Sequence, residues 1–234
     1  MVPYAGRHML EELIRREFNR WAEEGRGRGM EKSHWEITRQ MIDLMKVDSH
    51  DNIVDLGCGV GWATRVLAQK APSGLVLGID LSDRMILEAR SGYRNPPNAL
   101  FLVADASRIP CEEGLFNSLL SVESIYYYPD LEGAFAEVFR ILRPGGKAFF
   151  LVNYYKGNVY GHRWAKYIDI PVHLLGAEDY IALLARAGFR SASHRRISNS
   201  TPIPEDWTPT QWFSTRQDQA KFQAEGALLL EAEK

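Results

Sequence analysis

Three short apolar runs each end in an aspartate, and three glycines at alternate positions follow the first of them, in the segment NIVDLGCGVGW. The set comprises Asp55, Asp80 and Asp105, with Gly57, Gly59 and Gly61. Glycines at the start of a helix let a bound nucleotide approach the main chain closely. A carboxylate accepts hydrogen bonds from ribose hydroxyls, an exocyclic amine or an amino group. The pattern predicts a nucleotide site, with Asp80 at the ribose, Asp105 at the base amine and Asp55 beside the glycines.

A regular alternation of strands and helices places these residues at strand ends. Five apolar runs suit buried strands: NIVDL, LVLGID, ALFLVA, NSLLSV and KAFFLVN. Amphipathic helical segments separate most of them: WATRVLAQK, SDRMILEAR and LEGAFAEVFRIL. The alternation predicts an α/β fold, a doubly wound and mostly parallel sheet with helices on both faces. Ligands of such a sheet bind at the carboxyl ends of its strands, where the aspartates fall.

Residues 1–48 predict an N-terminal helical cap, ahead of a main domain at 49–234. Two helical patterns, HMLEELIRREFNRWAEE and SHWEITRQMIDLMKV, are joined by GRGRGM, which we interpret as a flexible hinge, with Ser33 as N-cap of the second helix. After the fifth strand, we predict a helix in GAEDYIALLARAGF and strands in SASHRRIS and GALLLEAEK. The longer connections predict cap insertions near 154–175 and 200–225.

Composition narrows the class of protein. The 234 residues are 45% hydrophobic and 25% charged, which is typical of one globular domain. A formal net charge of -2 gives no electrostatic signature of a nucleic-acid or membrane partner. Cys58 and Cys111 lie far apart and outside any C-x-x-C pattern, so we expect neither a disulfide framework nor a metal site. Because no apolar run reaches the length of a signal peptide or membrane span, we predict a cytoplasmic protein.

Five segments together resemble the successive motifs of the class I S-adenosylmethionine-dependent methyltransferases: VDLGCGVG, GIDLS, VADA, FNSLLSVESIYYYPD and EVFRILRPGGKAFFLV. They are most similar to the small-molecule branch with a methyltransferase type 11 domain, which includes the ubiquinone and menaquinone C-methyltransferases. The resemblance covers roughly Ile53 to Val152. It implies a seven-stranded, Rossmann-like sheet whose last strand is antiparallel. It also implies S-adenosylmethionine as cofactor, S-adenosylhomocysteine as its product, and no metal.

The same resemblance assigns cofactor contacts residue by residue. They fall on Asp55, Gly57, Cys58, Gly59, Gly61, Asp80, Leu81, Met85, Asp105, Ala106 and Ser121. The glycines would admit the methionine part of the cofactor, with Asp55 near its amino group. Asp80 would bind the ribose hydroxyls. Leu81 and Met85 would flank the adenine, and Asp105 would read its amine edge.

Aromatic residues follow the fourth and fifth strands and recur in the last long connection. We expect them to converge over the methyl group as an acceptor pocket that includes Tyr126, Tyr127, Tyr154, Trp164 and Trp212. Such a pocket is largely apolar and suits a small planar or amine-bearing molecule. The expected partner is therefore a small-molecule acceptor, without nucleic acid or membrane.

Few side chains are candidates for catalysis, because in-line methyl transfer needs a general base only when the nucleophile carries a proton of high pKa. Glu123 follows the fourth strand and is the first candidate. His34 is the second, although histidines near cap elements, such as His162 and His173, are more often structural. The segment IYYYPD replaces one that is often histidine-rich in similar proteins.

Other functions of a nucleotide-binding α/β fold fit the sequence less well. A nicotinamide-dependent oxidoreductase would need a glycine at position 62, where this chain has Trp62. The segment NPPN superficially resembles a motif of nucleic-acid methyltransferases, but it precedes the third strand and is read as a turn. A nucleic-acid or protein methyltransferase, and a catalytically silent cofactor-binding partner protein, remain as alternatives.

Overall fold

A computed structural model describes residues 4–92 and 95–234, so the first three residues of the expected cap lie outside the described range. Within it the sheet has seven strands: β1 (Ile53–Leu56), β2 (Val76–Asp80), β3 (Ala99–Val103), β4 (Phe116–Val122), β5 (Leu142–Val152), β6 (Ser191–Ile197) and β7 (Ala227–Glu233). Their order is β3-β2-β1-β4-β5-β7-β6. Strands β1 to β5 pair in parallel, and β7 is antiparallel to both of its neighbours. The predicted fold is confirmed, and the carboxyl ends of β1 to β4 meet at one edge.

Helices cover both faces of this sheet. The described residues form α1 (Tyr4–Glu23), α2 (Arg26–Met45), α3 (Trp62–Lys70), α4 (Asp83–Arg90), α5 (Leu131–Ile141), α6 (Ala177–Arg186) and α7 (Arg216–Glu225). Two 3₁₀ helices span Ile125–Tyr127 and Val159–Tyr167. Helix α7 lies inside the connection for which the sequence predicts a cap insertion near 200–225.

Polar caps begin the helices that follow the strand ends. Ser82 Oγ accepts a hydrogen bond of 3.0 Å from the Met85 N–H at the start of α4. Asp130 does the same for the Gly133 N–H at the start of α5. Each cap satisfies a backbone donor that would otherwise lack an intrahelical partner. The chain therefore turns from strand to helix immediately beside the carboxyl edge.

A charged residue lies inside the core of the sheet. All four residues of β1 are buried, and Asp55 among them is 2% exposed. The Thr64 hydroxyl donates a hydrogen bond of 2.7 Å to its carboxylate. A Cβ at Gly78 on the neighbouring strand would lie 2.7 Å from Thr64 Oγ1, so a glycine is required there to make room for the hydroxyl. Burying Asp55 thus depends on residues from β2 and α3.

The N-terminal helices differ from the sequence-based prediction in one respect. Helix α2 begins at Arg26 and contains the last five residues of GRGRGM, whereas only Glu24 and Gly25 separate it from α1. Gly25 makes the turn with a positive φ of 71°. Ser33 lies inside α2, where its hydroxyl donates to the Gly29 and Met30 carbonyls. The predicted hinge and the Ser33 cap are therefore wrong, because tertiary packing outweighs the low helix propensity of glycine.

No helix among residues 4–92 and 95–234 is both long and apolar enough to cross a membrane. Those residues also contain no group of three or more histidine, cysteine, aspartate or glutamate side chains arranged to hold a metal ion.

Candidate functional site

A cavity lies at the carboxyl ends of β1, β2 and β4 and is covered by α1 and α2. Most of the residues predicted to contact the cofactor line it: Asp55, Gly57, Cys58, Gly59, Asp80, Leu81, Met85, Asp105 and Ala106. His34, Glu123 and Tyr127 line it as well. The structure thus brings together residues that are spread over nearly a hundred positions of the sequence.

Asp80 is held at the end of β2 by main-chain donors. Its Oδ2 accepts from the Gly59 N–H and its Oδ1 from the Ser82 N–H, each at 2.8 Å. Burial raises the pKa of the Asp80 carboxyl, while these two hydrogen bonds lower it. Each carboxylate oxygen can accept more than one hydrogen bond, so capacity remains for a ligand with two neighbouring hydroxyls.

The glycine loop after β1 is shaped by two different requirements. Gly57 and Gly59 have φ values of 76° and 53°, which favour glycine. A Cβ at Gly57 would lie 2.5 Å from Ser124 Cβ and Oγ, whereas a Cβ at Gly59 would meet no atom within 4 Å. The main chain at Gly57 therefore packs closely, and that at Gly59 faces open space.

Two predicted cofactor residues do not line the cavity. A Cβ at Gly61 would lie 2.4 Å from the Phe101 ring, so this glycine allows α3 to pack against β3. Ser121 is buried, and its hydroxyl lies 2.5 Å from Ser124 Oγ, which in turn donates to the Leu56 carbonyl. Both residues pack behind the lining residues of the cavity, and their contact with the cofactor stays a prediction.

The other two aspartates have defined partners. The pKa of the Asp55 carboxyl is raised to about 6 by burial, which outweighs its hydrogen bond from Thr64. Asp105 accepts hydrogen bonds from the Ser107 N–H at 3.0 Å and the Ser107 hydroxyl at 2.8 Å. Asp55 is thus engaged within the core, and Asp105 is oriented by its own turn.

Helix α1 covers the cavity with Ile14 and Phe18. Near its start, Arg7 forms an ion pair with Asp130. Near its end, the side-chain oxygen of Asn19 accepts a hydrogen bond from the Ser82 hydroxyl at 2.6 Å, and its side-chain NH₂ group donates to the Asp83 carboxylate. The sequence predicts α1 as part of the helical cap at residues 1–48, but it does not indicate which of its side chains face the cavity. Contacts at both ends of α1 hold its apolar face over the cavity.

Helix α2 approaches the glycine loop more closely than any residue larger than glycine would allow. A Cβ at Gly27 would lie 2.3 Å from Val60 Cγ1, and both residues line the cavity. Met30 and His34 line it one and two turns further along. The glycine at position 27 therefore lets α2 pack closely on the glycine loop. A glycine-rich segment has the same composition whether it packs closely or forms a hinge.

We predict that Gly27→Ala lowers the free energy of unfolding by about 1–3 kcal/mol, since the stiff Val60 side chain has to move. Gly29→Ala is the matched control, because a Cβ there meets no atom within 4 Å and alanine favours a helix interior by up to about 1 kcal/mol. Urea unfolding of both variants measures the difference. Equal stability of the two variants would contradict the packing of α2 on the loop.

Glu123 stands directly after β4 in an unusual conformation. Its φ is 54°, in the left-handed region that non-glycine residues rarely adopt. Its Oε1 accepts from the Asn153 N–H at 2.6 Å, and its Oε2 accepts from the Tyr126 hydroxyl at 3.0 Å. Burial raises the pKa of this carboxyl to about 7. Asn153 was not identified from the sequence, since a main-chain donor leaves no residue signature.

The histidines divide into one cavity residue and two structural ones. Burial lowers the pKa of His34 to about 4, so its imidazole is neutral at pH 7. His162 Nε2 lies 2.9 Å from the Tyr155 carbonyl, and His173 Nε2 lies 2.9 Å from the Tyr128 carbonyl. The structural interpretation of His162 and His173 agrees with these contacts.

The aromatic residues converge only in part. Tyr126, Tyr127, Tyr154 and Trp164 form one cluster, with ring centroids 4.6 to 5.7 Å apart. Tyr127 alone of these four lines the cavity, and its ring also meets Phe18 of α1 at 4.7 Å. The other three rings pack behind it.

Trp212 does not join this cluster. Among the described ring contacts it meets Tyr167, with centroids 5.5 Å apart. Within the described chain, no residue of 154–175 or 200–225 lines the cavity. Trp212 therefore does not line this cavity, because the last connection packs around α7, where Phe213 meets Phe222. Its place in the acceptor pocket stays a prediction.

Comparison with known proteins gives a consistent set of similarities. The sequence profile of a family described as "Methyltransferase domain" matches residues 54–150. The malonyl-[acyl-carrier protein] O-methyltransferase of Hahella chejuensis is 31% identical over 51% of this chain and 41% of its own length. The O-methyltransferase cnsE of Penicillium expansum is 29% identical over 77% of this chain and 65% of its own. The chain spans about a third to two thirds of the length of the curated relatives that it matches.

A solved structure is similar over almost its full length. It is a chain of a Haloferax volcanii complex that contains the Trm112 methyltransferase activator. Its TM-score is 0.85 and its sequence identity 32%, over 93% of this chain and 97% of that one.

Proposed function

We propose that this chain, which belongs to the class I S-adenosylmethionine-dependent methyltransferases, transfers a methyl group from that cofactor to a small-molecule acceptor. The expected family and cofactor are confirmed by the family match and by the relative of similar length. The observation that carries the proposal is the Asp80 carboxylate, fixed by two main-chain N–H groups at the edge of an open glycine loop.

The described residues fit the parts of this cofactor. We assign the ribose hydroxyls to Asp80 and the adenine amine to Asp105. Leu81 and Met85 supply apolar walls beside the adenine. The open space over Gly59 suits the methionine part, and the buried Asp55 acts on its amino group electrostatically.

The cofactor supplies a methyl group on a positively charged sulfur, and the chain's contribution is placement. Helices α1 and α2 exclude water from above the cavity, because Ile14, Phe18 and Met30 are apolar and line it. The glycine loop and the three aspartates hold the cofactor, and so they fix the sulfur end of the in-line arrangement of nucleophile, methyl carbon and sulfur. Tyr127 and Glu123 bound the other end, where the nucleophile is aligned.

The cavity supports a small molecule better than a polymer. Among its described lining residues there is no lysine or arginine, and phosphate backbones are bound chiefly by such side chains. Its acceptor end is bounded by aromatic and aliphatic residues from α1, α2 and the turn after β4. A compact apolar site of this type suits a small aromatic or aliphatic acceptor.

The test is calorimetry with S-adenosylhomocysteine, followed by turnover assays on phenols, amines, dicarboxylates, transfer RNA and DNA. We expect cofactor binding and turnover of at least one small molecule. Turnover of RNA or DNA alone would replace the proposal with nucleic-acid methylation. Cofactor binding without turnover of any acceptor would favour the silent partner protein.

We also propose that the chain binds a protein activator, as the Haloferax volcanii relative does in its complex with Trm112. Strand β3 is one of the two edge strands of the described sheet, and edge strands can pair with a partner strand. Leu100 and Val103 of β3 are exposed, and so is Leu87 of the neighbouring α4. Monomeric proteins rarely expose such residues in a group.

Co-expression with a Trm112-type protein tests this partner. The pair should co-purify, and Leu100→Glu should prevent it, because a charge at the edge opposes strand addition. Val159→Glu is the control, since Val159 is also exposed but lies on the second 3₁₀ helix. Equal behaviour of the two variants would contradict binding at β3.

A further inference from the structure

Glu123 occupies a position whose main chain is unfavourable for its residue type. A left-handed conformation is sterically unfavourable for a residue that carries a Cβ. The residue follows β4 directly and lines the cavity beside Ser124 and Tyr127. In the proposed function, this wall of the cavity bounds the acceptor end of the site. Strain of this kind is typical of functional positions.

The Glu123 carboxyl has hydrogen-bond donors but no cation as partner. The Asn153 N–H of β5 and the Tyr126 hydroxyl each bond one of its oxygens. The other titratable groups that face it are Tyr127 of the same turn and Tyr180 of α6. No lysine, arginine or histidine of the described residues forms an ion pair with it. Burial without a counter-charge raises the pKa of this carboxyl to about 7.

His34 is the competing base on the same cavity. Its pKa is lowered to about 4 by burial, so its neutral imidazole has little affinity for a proton at pH 7. A general base works best when its pKa lies near the operating pH. Glu123 meets this condition and His34 does not.

Charge in the cavity also restricts the acceptor. Four acidic side chains line it, Asp55, Asp80, Asp105 and Glu123, without a lysine or arginine among the described lining residues. An acceptor that reacts through a carboxylate would bring a further negative charge into this site. It would also carry no proton for a base to remove.

We infer that Glu123 is the general base of the reaction and that the acceptor is a neutral or cationic small molecule whose nucleophilic oxygen or nitrogen carries a proton. The inference rests on the proposed methyl transfer. The nucleophile forms a bond to the methyl carbon while the carbon–sulfur bond breaks, and that electron pair stays on sulfur. The proton of the nucleophile passes to a Glu123 oxygen and then to solvent.

Tyr126 is a positioning residue for this base. Its hydroxyl donates to Glu123 Oε2 and so stabilises the ionised form. Tyr126→Phe removes that donor and leaves the carboxyl in place. The pKa of Glu123 should then rise, and the acidic limb of the pH profile should move to higher pH.

The kinetic test compares wild type, Glu123→Gln and Tyr126→Phe on catechol, 4-methylphenol, benzylamine and malonate. We expect phenol or amine turnover in the wild type, a loss of about 10² to 10⁴ in kcat for Glu123→Gln, and unchanged affinity for S-adenosylhomocysteine. Unchanged turnover in Glu123→Gln with the cofactor bound would overturn the inference and leave the methyl-transfer proposal standing. Failure of the wild type to bind S-adenosylhomocysteine would instead overturn the methyl-transfer proposal.

A titration that needs no turnover provides the second readout. In protein labelled with carbon-13 at the glutamate carboxyls and loaded with S-adenosylhomocysteine, the Glu123 signal is identified by its absence from Glu123→Gln. We expect a midpoint near 7 in the wild type and a higher one in Tyr126→Phe. A midpoint near 4.5, or malonate binding more tightly than every phenol and amine by calorimetry, would overturn the inference.

Discussion

Asp80→Ala should weaken the binding of S-adenosylhomocysteine by about 1.5–3 kcal/mol, which is roughly 10- to 150-fold in Kd. The carboxylate is the proposed acceptor for both ribose hydroxyls, and hydrogen bonds to a charged group are the stronger ones. The variant also leaves the Gly59 and Ser82 N–H groups without the acceptor that orients them. Calorimetry on the variant and the wild type measures the loss.

Two further variants separate the charge from its position. Asp80→Asn keeps the shape and one acceptor oxygen, so its loss of affinity should be smaller than that of Asp80→Ala. Asp169→Ala removes an exposed carboxylate far along the chain and should bind as the wild type does. Undiminished affinity in Asp80→Ala would remove this residue from the cofactor site.

Glu123→Gln should raise the free energy of unfolding at pH 8 by about 2 kcal/mol and change it little near pH 4.5. The pKa of Glu123 is raised from 4.5 to about 7 in the folded protein, so folding favours the protonated form. That contribution is fully present below pH 4.5 and is lost as the pH rises through 7. Glutamine is neutral at every pH and keeps it. The figure is below the full value of the pKa shift because the side chain is partly accessible from the cavity.

Urea unfolding at several pH values between 4.5 and 8 measures this difference. Asp55, whose pKa is raised to about 6, titrates in the same range, but it is present in both proteins and cancels in the comparison. Glu112→Gln is the control, because it makes the same change of side chain at an exposed position. A difference between Glu123→Gln and wild type that stays constant with pH would contradict an elevated pKa of Glu123.

The residues assigned to the cofactor could be predicted because each lies directly after a strand that the local sequence indicates. Each of Asp55, Asp80 and Asp105 follows an apolar run, and parallel strands bring their carboxyl ends to one edge in any fold of this class. The period of the apolar residues is therefore enough to place all three side chains at the same edge. The glycines between Asp55 and α3 also indicate the site locally, because a positive φ is a property of single positions.

The acceptor end was predicted less well, because it depends on how distant segments pack. Trp164 reaches the cluster around Tyr127, whereas Trp212 packs on Tyr167, and both belong to aromatic-rich connections of similar composition. Composition indicates that an aromatic side chain will be covered. It does not indicate which surface will cover it.

The sequence by itself determined the α/β fold, and the resemblance implied its seven-stranded sheet with an antiparallel last strand. Of the eleven residues that the resemblance assigns to the cofactor, nine line the cavity. The sequence predicts a helical cap, but only the tertiary structure decided which residues of α1 and α2 line the cavity, and that Gly27 of α2 fits against Val60. The structure alone also shows that Glu123 is partly buried and has no ion-pair partner among the described residues. These features arise between segments far apart in the chain, where close approach and desolvation depend on three-dimensional packing that no local pattern encodes.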